Sequence, residues 1–71
     1  MLSDWYPVSS DSGWVRAVAY DYDTRELHVE FKGATCVYPD SSEGLFNGLR
    51  NAESAGKYVH AHLYGRYYEL A

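Results

Sequence analysis

Residues 26–38 read ELHVEFKGATCVY, and the way this stretch alternates and turns decides the fold. Successive side chains of an extended strand point to opposite faces. Leu27, Val29 and Phe31 therefore fall on one face, and Glu26, His28, Glu30 and Lys32 on the other. One side of that sheet meets a core and the other meets water. Gly33 supplies a tight turn, and residues 34–38 return as a further strand, which Pro39 ends by withholding a backbone donor. Upstream, residues 14–20 are, Arg16 apart, β-branched, aromatic or small. The DYDTRE segment that follows, residues 21–26, has two aspartates able to bond their own backbone in a turn. Connections this short predict a three-stranded antiparallel meander.

Beyond Pro39 the period changes. Asp40 followed three residues later by Glu43 fits a capping box, and Leu45, Phe46, Leu49 and Ala52 recur at helical spacing. A first helix is expected over about residues 41–51, although Gly44 and Gly48 each cost it about 1 kcal/mol relative to alanine. Ser54 is the expected cap of a second helix. Its stripe is Ala55, Tyr58, Val59, His62 and Leu63, and it ends at Gly65. The prediction is an α+β domain in which two C-terminal helices cover the apolar face of the sheet, preceded by a short N-terminal extension over residues 1–11.

A chain of 71 residues has room for one modest core, since it buries only about 60% of its unfolded surface. A single cysteine, Cys36, forms no internal disulfide, and the sequence has no Cys/His quartet for structural zinc. Eight tyrosines and two tryptophans supply buried area instead. No segment approaches the roughly 20 apolar residues of a membrane span, and the first ten residues lack the basic cluster and apolar run of a secretory leader. The expected setting is cytoplasmic, the host cytoplasm if the chain is viral. The net charge of −4 is unevenly spread. Residues 1–47 hold three basic against eight acidic side chains, and residues 48–71 three against two.

Four patterns resemble chemical sites and yield to plainer readings. His60 and His62, two apart on a helix, point about 200° away from each other and cannot share a metal ion. Asp21 and Asp23 begin like a calcium loop, but Arg25 stands at its fifth position and Glu26 at the sixth, where the sharp turn needs glycine. Cys36 on a strand reads as a small apolar residue rather than a nucleophile. The SAGK run at residues 54–57 has neither the upstream glycine nor the following Ser or Thr of a phosphate loop, and Gly56 reads as a point of close helix packing.

From Ser12 to Tyr67 the order of residues resembles the KTSC family. The matching features are Val18, Tyr20–Asp21, the Leu27-x-Val29-x-Phe31 strand, Gly33, Tyr38, Leu49, Ala52, Ser54-x-Gly56, Tyr58 and Tyr67. The resemblance covers about four-fifths of the chain. KTSC domains occur at the C-terminus of some lysyl-tRNA synthetases and as free-standing prokaryotic proteins. The resemblance implies a prokaryotic setting and suggests RNA binding.

The residues that remain for recognition are Arg50, Lys57 and Arg66 around Tyr64, Tyr67 and Tyr68, with Trp5 and Tyr6 either exposed as anchors or folded back to cap the sheet. Charge beside flat rings suits single-stranded nucleic acid, and tyrosines suit protein interfaces equally. The acidic half of the chain repels phosphates. The first expectation is therefore a non-enzymatic module that binds a protein partner, in a phage setting a modulator of a host protein. The alternative is RNA or single-stranded nucleic-acid binding. No nucleophile, base and orienting group assemble from this sequence, and no cofactor or metal is expected. Unpaired outer strands add a route to a homodimer, edge to edge.

Overall fold

The computed structural model describes residues 1–8 and 14–71; Ser12 and the end of the expected N-terminal extension lie outside the described residues. The elements run β1 (Tyr6–Pro7), β2 (Val15–Asp21), β3 (Glu26–Phe31), β4 (Ala34–Tyr38), α1 (Glu43–Asn51), α2 (Ala55–His62) and β5 (Glu69–Leu70). All five strands join one antiparallel sheet in sequence order. The α+β class and the central meander are as expected, but the sheet has five strands rather than three. The added strands are two residues each and have too little alternation to be read from sequence; pairing with β2 and β4 defines them.

The β2–β3 turn works as its aspartate predicts. Asp21 Oδ1 accepts from the backbone N–H groups of Asp23 (2.9 Å) and Thr24 (3.2 Å). In the next turn Gly33 adopts φ +91°, which glycine takes without steric cost. One residue of β2 is out of register. Val15 pairs with Phe31 and Ala17 with Glu30, so Arg16 forms a bulge. Strict alternation back from Tyr20 and Val18 would send Arg16 inward. The bulge leaves Arg16 exposed and gives its core place to Val15.

The buried face of the sheet presents Val18, Tyr20, Leu27, Val29 and Tyr38 to Phe46 and Leu49 of α1, Ala55 and Val59 of α2, and Leu63 just beyond it. Burying each large apolar side chain here contributes about 1.5–3 kcal/mol. One serine is buried with them. Ser41 Oγ donates to the Tyr38 carbonyl (2.9 Å), its N–H donates to the Arg25 carbonyl (3.0 Å), and its own carbonyl accepts from the Tyr20 hydroxyl (2.6 Å). Satisfied on every side, it locks the approach to α1 against the β2–β3 turn.

The cap of α1 departs from the expected box. Ser42 Oγ accepts from the Leu45 N–H at 3.1 Å, and Asp40 sits earlier with φ +53°, so the helix starts at Glu43. Ser54 caps α2 as expected. The helices meet closely at Gly48. A Cβ on Gly48 would lie 2.8 Å from Tyr58 Cζ and closer still to its hydroxyl, so any larger residue there must displace the half-buried Tyr58 ring.

Candidate functional site

The tail after α2 does not continue as a helix to Gly65. The Val59 carbonyl accepts N–H groups from both Leu63 (2.8 Å) and Tyr64 (3.0 Å), and Gly65 at φ +87° redirects the chain. Arg66 then donates from Nη2 to the Asp40 carbonyl at 3.2 Å, and the Tyr68 ring packs 5.7 Å from Tyr38. These contacts lead residues 69–70 alongside β4, with Leu70 opposite Cys36 and Glu69 opposite Val37.

The result is a groove of about 560 Å³ on the helix-bearing side of the sheet. Cys36, Tyr38, Val59 and Leu63 form its buried floor. Trp14, Phe31, Lys32 and Ala34 close one end, and Tyr64, Gly65, Arg66, Tyr68 and Leu70 line the remainder. Trp14 packs on Phe31 with centroids 5.0 Å apart. Its rim is exposed apolar surface: Trp14 47%, Tyr64 80%, Tyr68 50% and Leu70 72%. In a chain of net charge −4, the charged residues lining this groove among the described residues are Lys32 and Arg66, both cationic.

Burial pushes the Cys36 thiol up from its ordinary range. Burial first, then the neighbouring Cys36 and Tyr68, push the Tyr38 phenol up as well. A thiol raised in this way is held protonated, the opposite of an activated nucleophile.

The structure divides the sequence-derived candidates among several places. Tyr64, Arg66 and Tyr68 come together in the groove; Tyr67, next to them in sequence, is exposed but does not line it. Arg50 lies elsewhere, its guanidinium 3.9 Å from the centroid of the Tyr6 ring and 5.3 Å from that of Phe46. Tyr6 has folded back beside Phe46, at 6.0 Å. Lys57 lines an open depression of about 490 Å³ with Ala52, Glu53, Ser54 and Tyr58, where a carboxylate stands among the lining groups. Trp5 packs edge-on against His28 at 6.4 Å on the opposite face of the sheet. The His28 Nε2 is buried without a hydrogen-bond partner among the described residues, 4.0 Å from Glu26 Oε1.

The two helical histidines diverge. His60 stacks on Tyr64 at 5.2 Å, while His62 lies against Tyr58 at 4.2 Å. No cluster of three metal-ligating side chains occurs among the described residues. Among them, too, no helix is long and apolar enough to cross a membrane.

Sequence reading did not single out Trp14, Phe31, Lys32 or Leu70 as site residues. For Trp14, Phe31 and Leu70 the signal was an aromatic or apolar residue at the end of a strand, the point where a two-helix cover runs out; Lys32 carried no such signal.

The KTSC domain profile matches residues 11–67. The chain belongs to the KTSC domain family. No curated protein matches its sequence. A KTSC domain protein from Yersinia pestis superimposes on it with a TM-score of 0.86 at 23% identity, covering 100% of this chain and 99% of that one. At that identity the likeness speaks for the fold. The KTSC match spans the meander and both helices but stops at Tyr67, so Tyr68 and β5, one wall of the groove, lie just beyond it.

Proposed function

We propose that this KTSC domain is a small non-enzymatic interaction module that binds a protein partner through the aromatic groove. The observation that carries this reading is the grouping of Trp14, Tyr64, Tyr68 and Arg66 around an apolar floor. Trp, Tyr and Arg are the residues that dominate binding energy at protein interfaces, above all where they border a pocket that excludes water. RNA or single-stranded nucleic acid remains the alternative, because the same rings stand beside two cations and, among the described residues, no carboxylate lines the groove. A salt titration separates them. Two phosphate contacts give a salt slope of about −1.4, roughly a sevenfold loss of affinity over about a fourfold rise in salt, whereas the apolar rim is nearly indifferent to salt.

The test pans a displayed random-peptide library against the whole chain. Enriched peptides are expected to lose affinity by about tenfold or more on Tyr68→Ala or Arg66→Ala and to be indifferent to Trp5→Ala and Lys57→Ala. If no peptide enriches, or binding ignores the groove substitutions, the protein-partner reading falls. A short RNA that binds in the groove with a salt slope near that value would put nucleic acid in its place.

A further inference from the structure

The two outer strands of the sheet differ in what their backbones offer. On β5, Ala71 N–H donates to the Thr35 carbonyl at 2.9 Å, which sets the phase of the pairing. Thr35/Ala71 and Val37/Glu69 exchange hydrogen bonds, so the N–H and C=O of Leu70, which lies between them opposite Cys36, point away from β4. Among the described residues nothing pairs with them. On β1, Val8 N–H donates to the Arg16 carbonyl (3.3 Å), and the same alternation turns Pro7 outward. Proline has no N–H, so that edge lacks the donor which a further strand would need. The other edge has no such protection. An unpaired amide and carbonyl on an exposed, apolar strand end form a template for another extended chain.

The side chains add the rest of the chemistry. Leu70 and Tyr68 face the groove, and residues of an added strand directly opposite them would share that face, with Cβ atoms about 4.5–5.5 Å away. Lys32 and Arg66 line the same groove, and among the described residues no carboxylate lines it. Glu69 points to the opposite face. Resting on the groove reading above, we infer that β5 accepts an extended segment of a partner protein as a sixth strand. That segment alternates apolar residues into the groove, carries a carboxylate for Lys32 or Arg66, and holds a basic or polar residue opposite Glu69. A second copy of this chain fits less well. In either antiparallel register the copy's Glu69 lies on the face away from Lys32 and Arg66, and with Leu70 opposite the copy's Tyr68 the two Glu69 carboxylates also stand directly across from each other, which is destabilising.

The experiment uses synthetic versions of the peptides enriched by the panning, with single backbone amides N-methylated in turn. Strand addition predicts a two-residue rhythm: methylation of alternate amides lowers affinity about fivefold to tenfold, and methylation of those between leaves it unchanged. Leu70→Pro should produce a similar loss, because the N–H it removes is not used by β4, while Leu70→Val should bind as the parent does. If the peptides need Tyr68 and Arg66 yet tolerate methylation at every position, strand addition is overturned and the groove reading stands. If no peptide enriches, the groove reading itself has failed. A concentration-dependent dimer in light scattering that Leu70→Pro abolishes would make a second copy the occupant and overturn the proposal.

Discussion

The two ends of the chain both finish the sheet, and they do so in opposite ways. The N-terminal end is drawn into the fold. Ser3 N–H donates to the Tyr20 carbonyl (2.8 Å), Ser3 Oγ accepts from the Tyr20 N–H (2.9 Å), the Met1 ammonium pairs with Asp21 and Asp23, and Tyr6 packs against both Phe46 and Arg50. The C-terminal end pairs with β4 but leaves its side chains outside: Glu69 and Leu70 are both exposed. The difference teaches that a strand can close a fold or leave it open, according to whether its side chains face the core or an unfilled groove.

Breaking the junction between the two halves should have the largest effect. Gly48→Val drives a side chain into the Tyr58 ring and is expected to cost about 3 kcal/mol in a urea titration, exceeding the roughly 1 kcal/mol that replacing a helical glycine returns. Next, Tyr6→Ala should cost about 2 kcal/mol by removing a half-buried ring from Phe46 and a cation–π contact from Arg50. Tyr68→Ala, at the open end, should stay under about 1 kcal/mol. Equal costs for the two tyrosines would abolish the contrast.

Titration should separate the ends more finely. Asp21 is held below its ordinary range, first by the Met1 ammonium and further by the Thr24 and Asp23 amides. Its contribution is therefore complete above the ordinary carboxylate value of 3.8 and is lost as pH falls through its lowered value. Cys36 and Tyr38 are shifted up, so the unfolded chain releases those protons first. Their contribution is complete below the ordinary values of 9.0 and 10.0 and declines as pH rises through the raised ones. Amide exchange should accordingly loosen at Tyr20 on the acid side and at Ala71 on the alkaline side. The smallest effect belongs to Arg66→Ala, whose exposed bond to the Asp40 carbonyl should cost less than about 0.5 kcal/mol in thermal unfolding even as peptide binding falls.

The central architecture was legible because its signals are periodic. Leu27, Val29 and Phe31 announce a half-buried strand, and Leu45, Phe46 and Leu49 a helix face, from spacing alone. The outer strands were not legible: two residues have no period, and Pro7 reads as a breaker until its position on an edge is known. The cap of α1 was misplaced because Asp40 and Ser42 both precede acidic or apolar residues at helix-start spacing, and only backbone geometry separates them. In the site, Tyr64, Arg66 and Tyr68 were legible as neighbours in sequence. Trp14 and Lys32 arrive from more than thirty positions away by the folding of the meander, and Arg50 leaves the site because the Tyr6 ring takes its charge.

The bulge at Arg16 means that β2 holds one more residue than its ladder with β3 can use. Take Arg16 away, and Val15 and Ala17 become true neighbours, still opposite Phe31 and Glu30, with the same side chains inside. The sheet thus tolerates a change of length at this one point without inverting its faces. The change would fall instead on the coiling of the strand just before it, where Trp14 is aimed at the groove.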